Sequence, residues 1–556
     1  MLVVVQSAPE DDRERGRLVA GLDRWREKAR GLAADKKRLI AELAASQARV
    51  VDLEGQLIAA TEKVATLSKL CFGTSSEKKN SEPGGAAANA GEPADPGRLR
   101  DAGRRRRGQQ PGTTGHGRRD YSGLETEEVL HDVDEHERRC PERGTAYEHF
   151  GEESSAQIDW QVRIVRVLHR RRSYAKACRC KAKGIVVAPV AQKPIRKGLF
   201  TSQFLARLLF EKYVLGRPIE RIVTALRAEG LEIAKGSLVG ALRAVSCLLE
   251  PLDQAIRARN AAAGHLHIDE TSWQVFEDVE GKANHRWWLW VFVSADTICF
   301  DIDPTRSSSV LEAHLGVDLS TKSLPPGRSL LVSSDFYTVY QSLDCVEGVE
   351  TLWCFAHIRR YFIRAGDAHE ALWPWRDAWL LRFAALYRAH HALRACVPST
   401  PEHASAAEDF ALCLGEIDVV RQKQAADEDL HPAARKVLAT LHHEWDGLVR
   451  HGRYPEADLD NNRAERAIRG PVVGRKSYYG SGSIWAATLA ARAWTITATA
   501  SRAGLNPLEY LHAYLDACAT SGAKAPSGQA LARFLPWAVS EADLATWSNT
   551  PAGPAP

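Results

Sequence analysis

Apolar positions along this chain recur with different periods, and each period predicts a different element. From about Leu32 to Cys71 the repeat is seven. Leu43, Val50, Leu57, Val64 and Cys71 fall on one seam position, and Leu39, Ser46, Leu53, Ala60 and Leu67 on the other. Lys, Arg, Glu and Gln fill much of the remainder, which predicts a long helix pairing as a coiled coil. Ser46, Gly55 and Ala60 make that seam a weak one. Residues 124–190 instead carry short strand-like runs, among them "QIDWQVRIVRVLHRRRSYAKA" with Arg and apolar residues in alternation. Residues 198–258 return to three- and four-residue steps broken at Gly216 and Gly230, the mark of short helices. Ile219 to Cys247 has the outline of a helix-turn-helix, but a packed helical subdomain is the favoured reading.

Between residues 265 and 360 the pattern becomes that of a sheet. "HLHID", "RWWLWVFVS" and "TICFDIDP" predict three strands joined by short turns. "SSSVLEAHLG" predicts a helix, "RSLLVSSDFY" a fourth strand ending in Asp335, and "ETLWCFAHIRRYF" a fifth strand running into a helix. That order is the order of a ribonuclease-H-like α/β core, a mixed sheet with helical crossovers. From about Asp367 to Arg453 the chain reads as charged amphipathic helices, such as "AAEDFALCLGEIDVVRQKQAADEDL".

A chain of 556 residues exceeds one ordinary core and predicts several domains. No apolar stretch is long enough to span a bilayer, and the N-terminal run is too short for a signal sequence; a cytoplasmic protein without membrane contact is expected. The 11 Cys are scattered and odd in number, as expected of free thiols in a reducing compartment. The net charge of only +4 hides a strong local asymmetry. After the linker "NSEPGGAAANAGEPADPG" comes "RLRDAGRRRRGQQPGTTGHGRR", with eight Arg against one acid. Arg104, Arg105, Arg106, Arg107, Arg118 and Arg119 there are candidates for contact with a phosphate backbone. Cys140, Cys178 and Cys180 are candidate zinc ligands, with His136 or His169 to complete a set. Their spacing argues against a regular site, because Arg143 stands where a CxxC motif would place its second Cys, and "ACRCK" is CxC; zinc is left open.

The acids carry the chemistry. Strand alternation puts His267 and Asp269 on one face and Leu266 and Ile268 on the other, with Glu270 pointing away from Asp269 as a local hydrogen-bonding or surface residue. Asp335 ends another apolar strand, and adjacent strands bring two such Asp together. Converging carboxylates repel unless a cation sits between them. Magnesium, or manganese, takes hard oxygen ligands, and two such ions suit phosphoryl transfer. "DLDNNRAERAIRGPVVGRKSYYGS" offers the third acid, Glu465, on a helix that Asp458 or Asp460 would cap. Asn462 and Arg469 share its face, and Arg466, Arg475 and Lys476 add positive charge for DNA.

In order along the chain, "CFGTSSEKK", "KGLFTSQFLARLLFEKYVLGRPIERI", "HIDETSWQV", "SSDFYTVY", "WCFAHIRRYF", "NNRAERAIRGPVVGRKSYYGS" and "AGLNPLEYLHAYL" resemble the IS66-type insertion-sequence transposases, which are DDE recombinases. The resemblance covers nearly the whole chain. It implies Asp269, Asp335 and Glu465 as catalytic acids holding Mg²⁺, probed equally by Mn²⁺, with a helical insertion between the second and third. It implies cleavage at transposon ends and strand transfer into target DNA, with terminal inverted repeats as substrate, at least a homodimer on DNA, and accessory proteins of the same element. Cys354 and His357 form the CxxH that follows the fifth strand in such enzymes, and they are assigned to buttressing the site or touching DNA. The family's four-Cys zinc segment is incomplete here. A ribonuclease-H-like nuclease without strand transfer, and a non-catalytic DNA-binding or structural protein, are the alternative functions; retention of all three acids weighs against the latter.

The organisation expected is a coiled coil over 1–75, a flexible Arg-rich linker over 76–123, a small β-rich domain over 124–190 and a helical domain over 191–258. The catalytic core then spans 259–366 and 456–513 around the insertion at 367–455, with a C-terminal tail over 514–556.

Overall fold

The structure is a computed structural model that describes residues 163–175, 185–280, 282 and 284–548, with Arg49, Glu142, Arg143 and Ala146 as isolated residues before them. The expected coiled-coil pairing, the Arg-rich segment with Arg104, Arg105, Arg106, Arg107, Arg118 and Arg119, and Cys140, Cys178 and Cys180 lie outside the described residues. The described chain forms two compact units, one of them Phe355–Leu459 and the other built from the residues on either side of it.

The flanking unit begins with a short antiparallel pair, β1 (Ser173–Ala175) and β2 (Ile185–Val187). Helix α1 (Ser202–Leu209) starts where Thr201 Oγ1 accepts the Phe204 N–H, and it buries Leu205, Leu208 and Leu209. A π-helical turn, Phe210–Val214, and α2 (Ile219–Ala228) follow. Gly216 joins them at φ +66°, and a side chain there would meet the Gly474 backbone at 3.3 Å. Helix α3 (Lys235–Ala261) then runs for 27 residues. Its Leu238, Leu242, Val245, Leu249, Leu252 and Ile256 are four and three apart and form one fully buried stripe. This is a core helix.

The sheet has five strands: β3 (His265–Gln274), β4 (Arg286–Val293), β5 (Ile298–Asp303), β6 (Leu330–Ser334) and β7 (Val349–Trp353), in the order β5-β4-β3-β6-β7. Strands β3, β4 and β5 form an antiparallel meander, and β6 and β7 join β3 in parallel after helix α4 (Ser308–Leu315) crosses over. Helix α5 (Thr338–Gln341) lies between β6 and β7. This mixed α/β core agrees with the ribonuclease-H-like expectation. One expectation needs correcting: the first strand does not end at Asp269 but continues to Gln274, paired throughout with β4.

The other unit is helical: α6 (Phe355–Ala368), α7 (Trp373–Ala395), α8 (Pro401–Ala425), α9 (Pro432–His443) and α10 (Trp445–Val449). Phe362 stacks on Trp375 and meets Trp379 at a tilt and Phe383 edge-on, and Gln424 Oε1 accepts both indole N–H groups of Trp375 and Trp379 at 2.9 Å.

The chain returns to the first unit with α11 (Asn462–Tyr478), α12 (Ile484–Arg502) and α13 (Pro507–Thr520). Helix α12 covers the free edge of β5. Thr495 Oγ1 accepts the Phe300 N–H at 2.9 Å, and Thr499 Oγ1 accepts that of Ile298 at 3.1 Å. These hydroxyls satisfy backbone donors that an edge strand otherwise leaves open. Residues past 514 are more than a tail. Helices α14 (Gln529–Ala532) and α15 (Glu541–Trp547) follow, and Trp547 stacks on Phe534 with ring centroids 5.5 Å apart.

Candidate active site

Strand β6 pairs with β3 only over His265–His267, where His267 faces Ser333. Beyond that point the two strands are not paired, and Asp269 and Asp335 each lie two residues past the last pair. Asp335 follows the last residue of β6, and its Oδ1 accepts the Tyr337 N–H at 3.0 Å. On the far side of β6 the ladder continues, with the Cys354 N–H donating to Ser334 O at 3.1 Å. The acids therefore sit where parallel pairing stops on one side and persists on the other.

Glu465 reaches this point because α11 is fastened to β3 along its length. The N-cap of α11 is Asn461 rather than the expected Asp458 or Asp460; Asp460 Oδ1 accepts the Asn462 N–H at 3.0 Å just before the helix, and Asp458 pairs with Arg394 in the helical unit. Asn461 is buried and makes three contacts. Its N–H donates to Cys354 Sγ at 3.1 Å, its side-chain amide donates to Ile268 O at 2.6 Å, and its Oδ1 meets His267 Nδ1 at 3.3 Å. One turn later, Glu465 N–H donates to Asn461 O. Further along, Arg475 donates to Ser272 O, Ser272 Oγ and Thr271 Oγ1. After the helix, Ser481 exchanges backbone hydrogen bonds with Gln274 and Phe276 at 2.9 and 2.8 Å.

The electrostatics join the three acids. The Asp269 carboxyl is pushed up to about 8, first by burial and then by the negative charges of Glu270, Asp335 and Glu465, against a pull down from the Glu270 N–H on Asp269 Oδ1. A carboxyl raised by its acidic neighbours in this way is suited to a cation. The donors are all hard carboxylate oxygens, which fits magnesium or manganese better than a softer metal. Among the described residues, no three His, Cys, Asp or Glu side chains already stand as a ready metal shell.

Glu270 is not a surface residue. Its side chain is 1% exposed and is held by partners distant in sequence. Arg306 Nε donates to its Oε1 at 2.8 Å, Arg306 Nη2 donates to the same oxygen, and Tyr340 OH donates to Oε2. Burial raises its pKa, opposed by the hydrogen bonds from Tyr340 and Arg306.

Other expected residues fall as follows. Cys354 is buried, and its Sγ accepts the Asn461 N–H at 3.1 Å. His357 lies on α6 in the helical unit, where its Nε2 meets Arg360 at 3.2 Å. Asn462 lies on α11, half-buried, while the contacts to β3 belong to its neighbour Asn461. Arg466, Arg469 and Lys476 are exposed on α11, whereas Arg475 is turned onto β3. His169 is exposed. Every described cysteine is a free thiol. A cleft of about 420 Å³ opens beside His267, lined by Arg259, Arg463, His265, Ser294 and Asp296 among others.

A model of the transposase IS66 family matches residues 197–489, more than half of the chain, including the five-stranded sheet and Asp269, Asp335 and Glu465. The chain belongs to the IS66 transposase family. Three uncharacterized proteins of Sinorhizobium fredii are similar to it at lower identity. Protein y4qI is 25% identical over 376 residues, 65% of this chain and 67% of that protein. Protein y4hP is 22% identical over 66% of this chain and 68% of its own length, and y4jD is 23% identical over 68% and 74%. Membership in the IS66 family makes this a DDE-type transposase in general terms, with DNA as partner and a dependence on divalent metal. No described helix is long and apolar enough to cross a membrane.

Proposed function

We propose that this IS66 transposase cuts the ends of its element and joins them to target DNA, with Asp269, Asp335 and Glu465 as the acids that hold two divalent cations. The reading is supported by family membership together with the placement of the acids: Asp269 and Asp335 lie just past the end of the β3–β6 ladder, and Asn461, at the start of the Glu465 helix, is bonded to the Ile268 carbonyl. Magnesium or manganese, when bound, supplies positive charge at phosphorus and makes an attacking hydroxyl more acidic.

The chain's own residues do the rest. The three carboxylates define the point at which the scissile phosphate is held. Asn461 and Arg475 keep α11 on β3, so that Glu465 stays beside Asp269. Water attacks phosphorus, the P–O bond to the 3′-oxygen breaks, and that oxygen leaves as a hydroxyl. The freed 3′-hydroxyl then attacks a target phosphodiester and displaces its 3′-oxygen in turn. Exposed Arg466, Arg469 and Lys476 supply positive charge along the strand. The Arg-rich segment adds affinity independent of sequence, and the N-terminal heptads pair two subunits. Asp269→Asn tests the reading: end cleavage is lost while end binding persists.

A further inference from the structure

We propose that Arg306 grips a phosphate of the DNA strand beside the three acids, with Glu270 as its buried anchor. The inference rests on the acid assignment above and adds a substrate contact to it.

Arg306 lies in the turn between β5 and α4. That turn is fixed from within: Asp303 Oδ1 accepts the N–H and hydroxyl of Thr305 at 2.7 and 2.6 Å, and Thr305 Oγ1 meets Ser307 Oγ at 2.8 Å. The guanidinium is fixed as well. Its centre lies 3.6 Å from the Tyr337 ring centroid and 4.6 Å from that of Trp288. Its Nε and Nη2 both donate to Glu270 Oε1, while Tyr340 takes the other carboxylate oxygen.

The exposure of the pair is unequal. Glu270 is 1% exposed and Arg306 is 32% exposed. The anion is thus buried as a support and the cation is presented at the surface. Among the described residues Nη1 has no hydrogen-bond partner, so one N–H edge of the fork remains for a ligand. The ring beneath the guanidinium ties it to the site, because Tyr337 N–H donates to Asp335 Oδ1 and Tyr337 OH to Arg306 O at 3.4 Å.

A buried ion pair is a poor source of stability compared with apolar packing, since desolvation of both charges offsets their attraction. It is a good way to present a guanidinium already ordered. A fork held on one edge and stacked on two rings loses little freedom when its other edge meets a planar pair of phosphate oxygens. Catalysis gains most from charges that need no reorganisation.

The test uses the full chain and a duplex carrying the element's own end, with anisotropy read over a salt series in EDTA. Losing one phosphate contact makes the slope of log K against log[salt] shallower by about 0.9. Arg306→Ala and the milder Arg306→Gln are expected to show that change and, with Mg²⁺ restored, cleavage about tenfold slower or more. Single methylphosphonates are placed in turn at the phosphates flanking the cut. One of them should reproduce the slope change in wild type and add nothing in either variant. An unchanged slope in a folded variant, or additive losses at every position, overturns the proposal. Asp269→Asn is run in parallel. If it still cleaves, the acid assignment fails, while the slope data judge Arg306 independently.

Discussion

Asp269 and Asp335 each lie two residues beyond the last pair of the parallel β3–β6 ladder. β3 and β6 pair His265 with Leu331, Leu266 with Val332 and His267 with Ser333. The hydrogen-bonded ladder ends there, and the charge of Asp335 helps to raise the Asp269 carboxyl. Asn461 binds the carbonyl of Ile268, the residue immediately before Asp269.

Asn461 therefore carries a prediction of its own. Asn461→Ala removes a buried donor and leaves Ile268 O without that partner, a loss of about 1–3 kcal/mol. The unfolding midpoint in denaturant should fall accordingly, and cleavage should fall further than stability alone explains because Glu465 loses its support. A wild-type midpoint would refute the bridging role.

Arg475 and its neighbours should separate into two behaviours. Arg466→Ala, Arg469→Ala and Lys476→Ala each remove an exposed charge, and DNA binding should lose salt dependence by about 0.9 per phosphate contact with little change in stability. Arg475→Ala should do the reverse, because its guanidinium is hydrogen-bonded to Ser272 and Thr271. A salt-slope series paired with thermal melts distinguishes the two groups.

Thr495→Val keeps the shape of the side chain but removes the acceptor of the Phe300 N–H. The edge donor is then buried without a partner, and the chain should lose about 1–3 kcal/mol of stability. Hydrogen exchange should locate the change at β5.

His314 sets an acid limit on stability. Its half-buried ring stacks on Phe292, with centroids 3.8 Å apart, and its Nε2 meets Asn260 Oδ1 at 2.7 Å. Burial, helped by Arg257 and Arg328, lowers its pKa from 6.5 to about 3. The unfolded chain therefore binds a proton that the folded chain refuses between those values. Stability should fall as pH drops below 6.5, by up to about 1.4 kcal/mol per pH unit from this group, until pH approaches 3. His314→Gln should flatten that part of the profile, and an unchanged profile would show that another group governs it.

Much of the core was legible because its strands are apolar and its turns short. β4 and β5 are recognisable as "RWWLWVFV" and "ICFDID". What stayed hidden depended on partners far away in sequence. Glu270 read as a local or surface residue because nothing near it marks Arg306 and Tyr340, which are 36 and 70 residues distant. β3 appeared to stop at Asp269 because the residues after it are polar, yet β4 pairs with every one of them to Gln274. Arg475 and Lys476 are adjacent basic residues on a helix, and only the packing shows that one turns inward. For Asn461 and Asn462 the helix phase pointed to Asn462, whereas the cap position makes Asn461 the bridge. The motif "DLDNN" held the signal, since a helix start that must meet a sheet needs a side chain able to donate and accept.

The most direct test of the central claim is end cleavage in Mg²⁺ by Asp269→Asn, Asp335→Asn and Glu465→Gln, each compared with its own end binding. If the three acids hold the reacting phosphate together, every variant binds the end and none cleaves it detectably, in Mg²⁺ or in Mn²⁺. Cleavage at the wild-type rate by any one of the three would contradict the account.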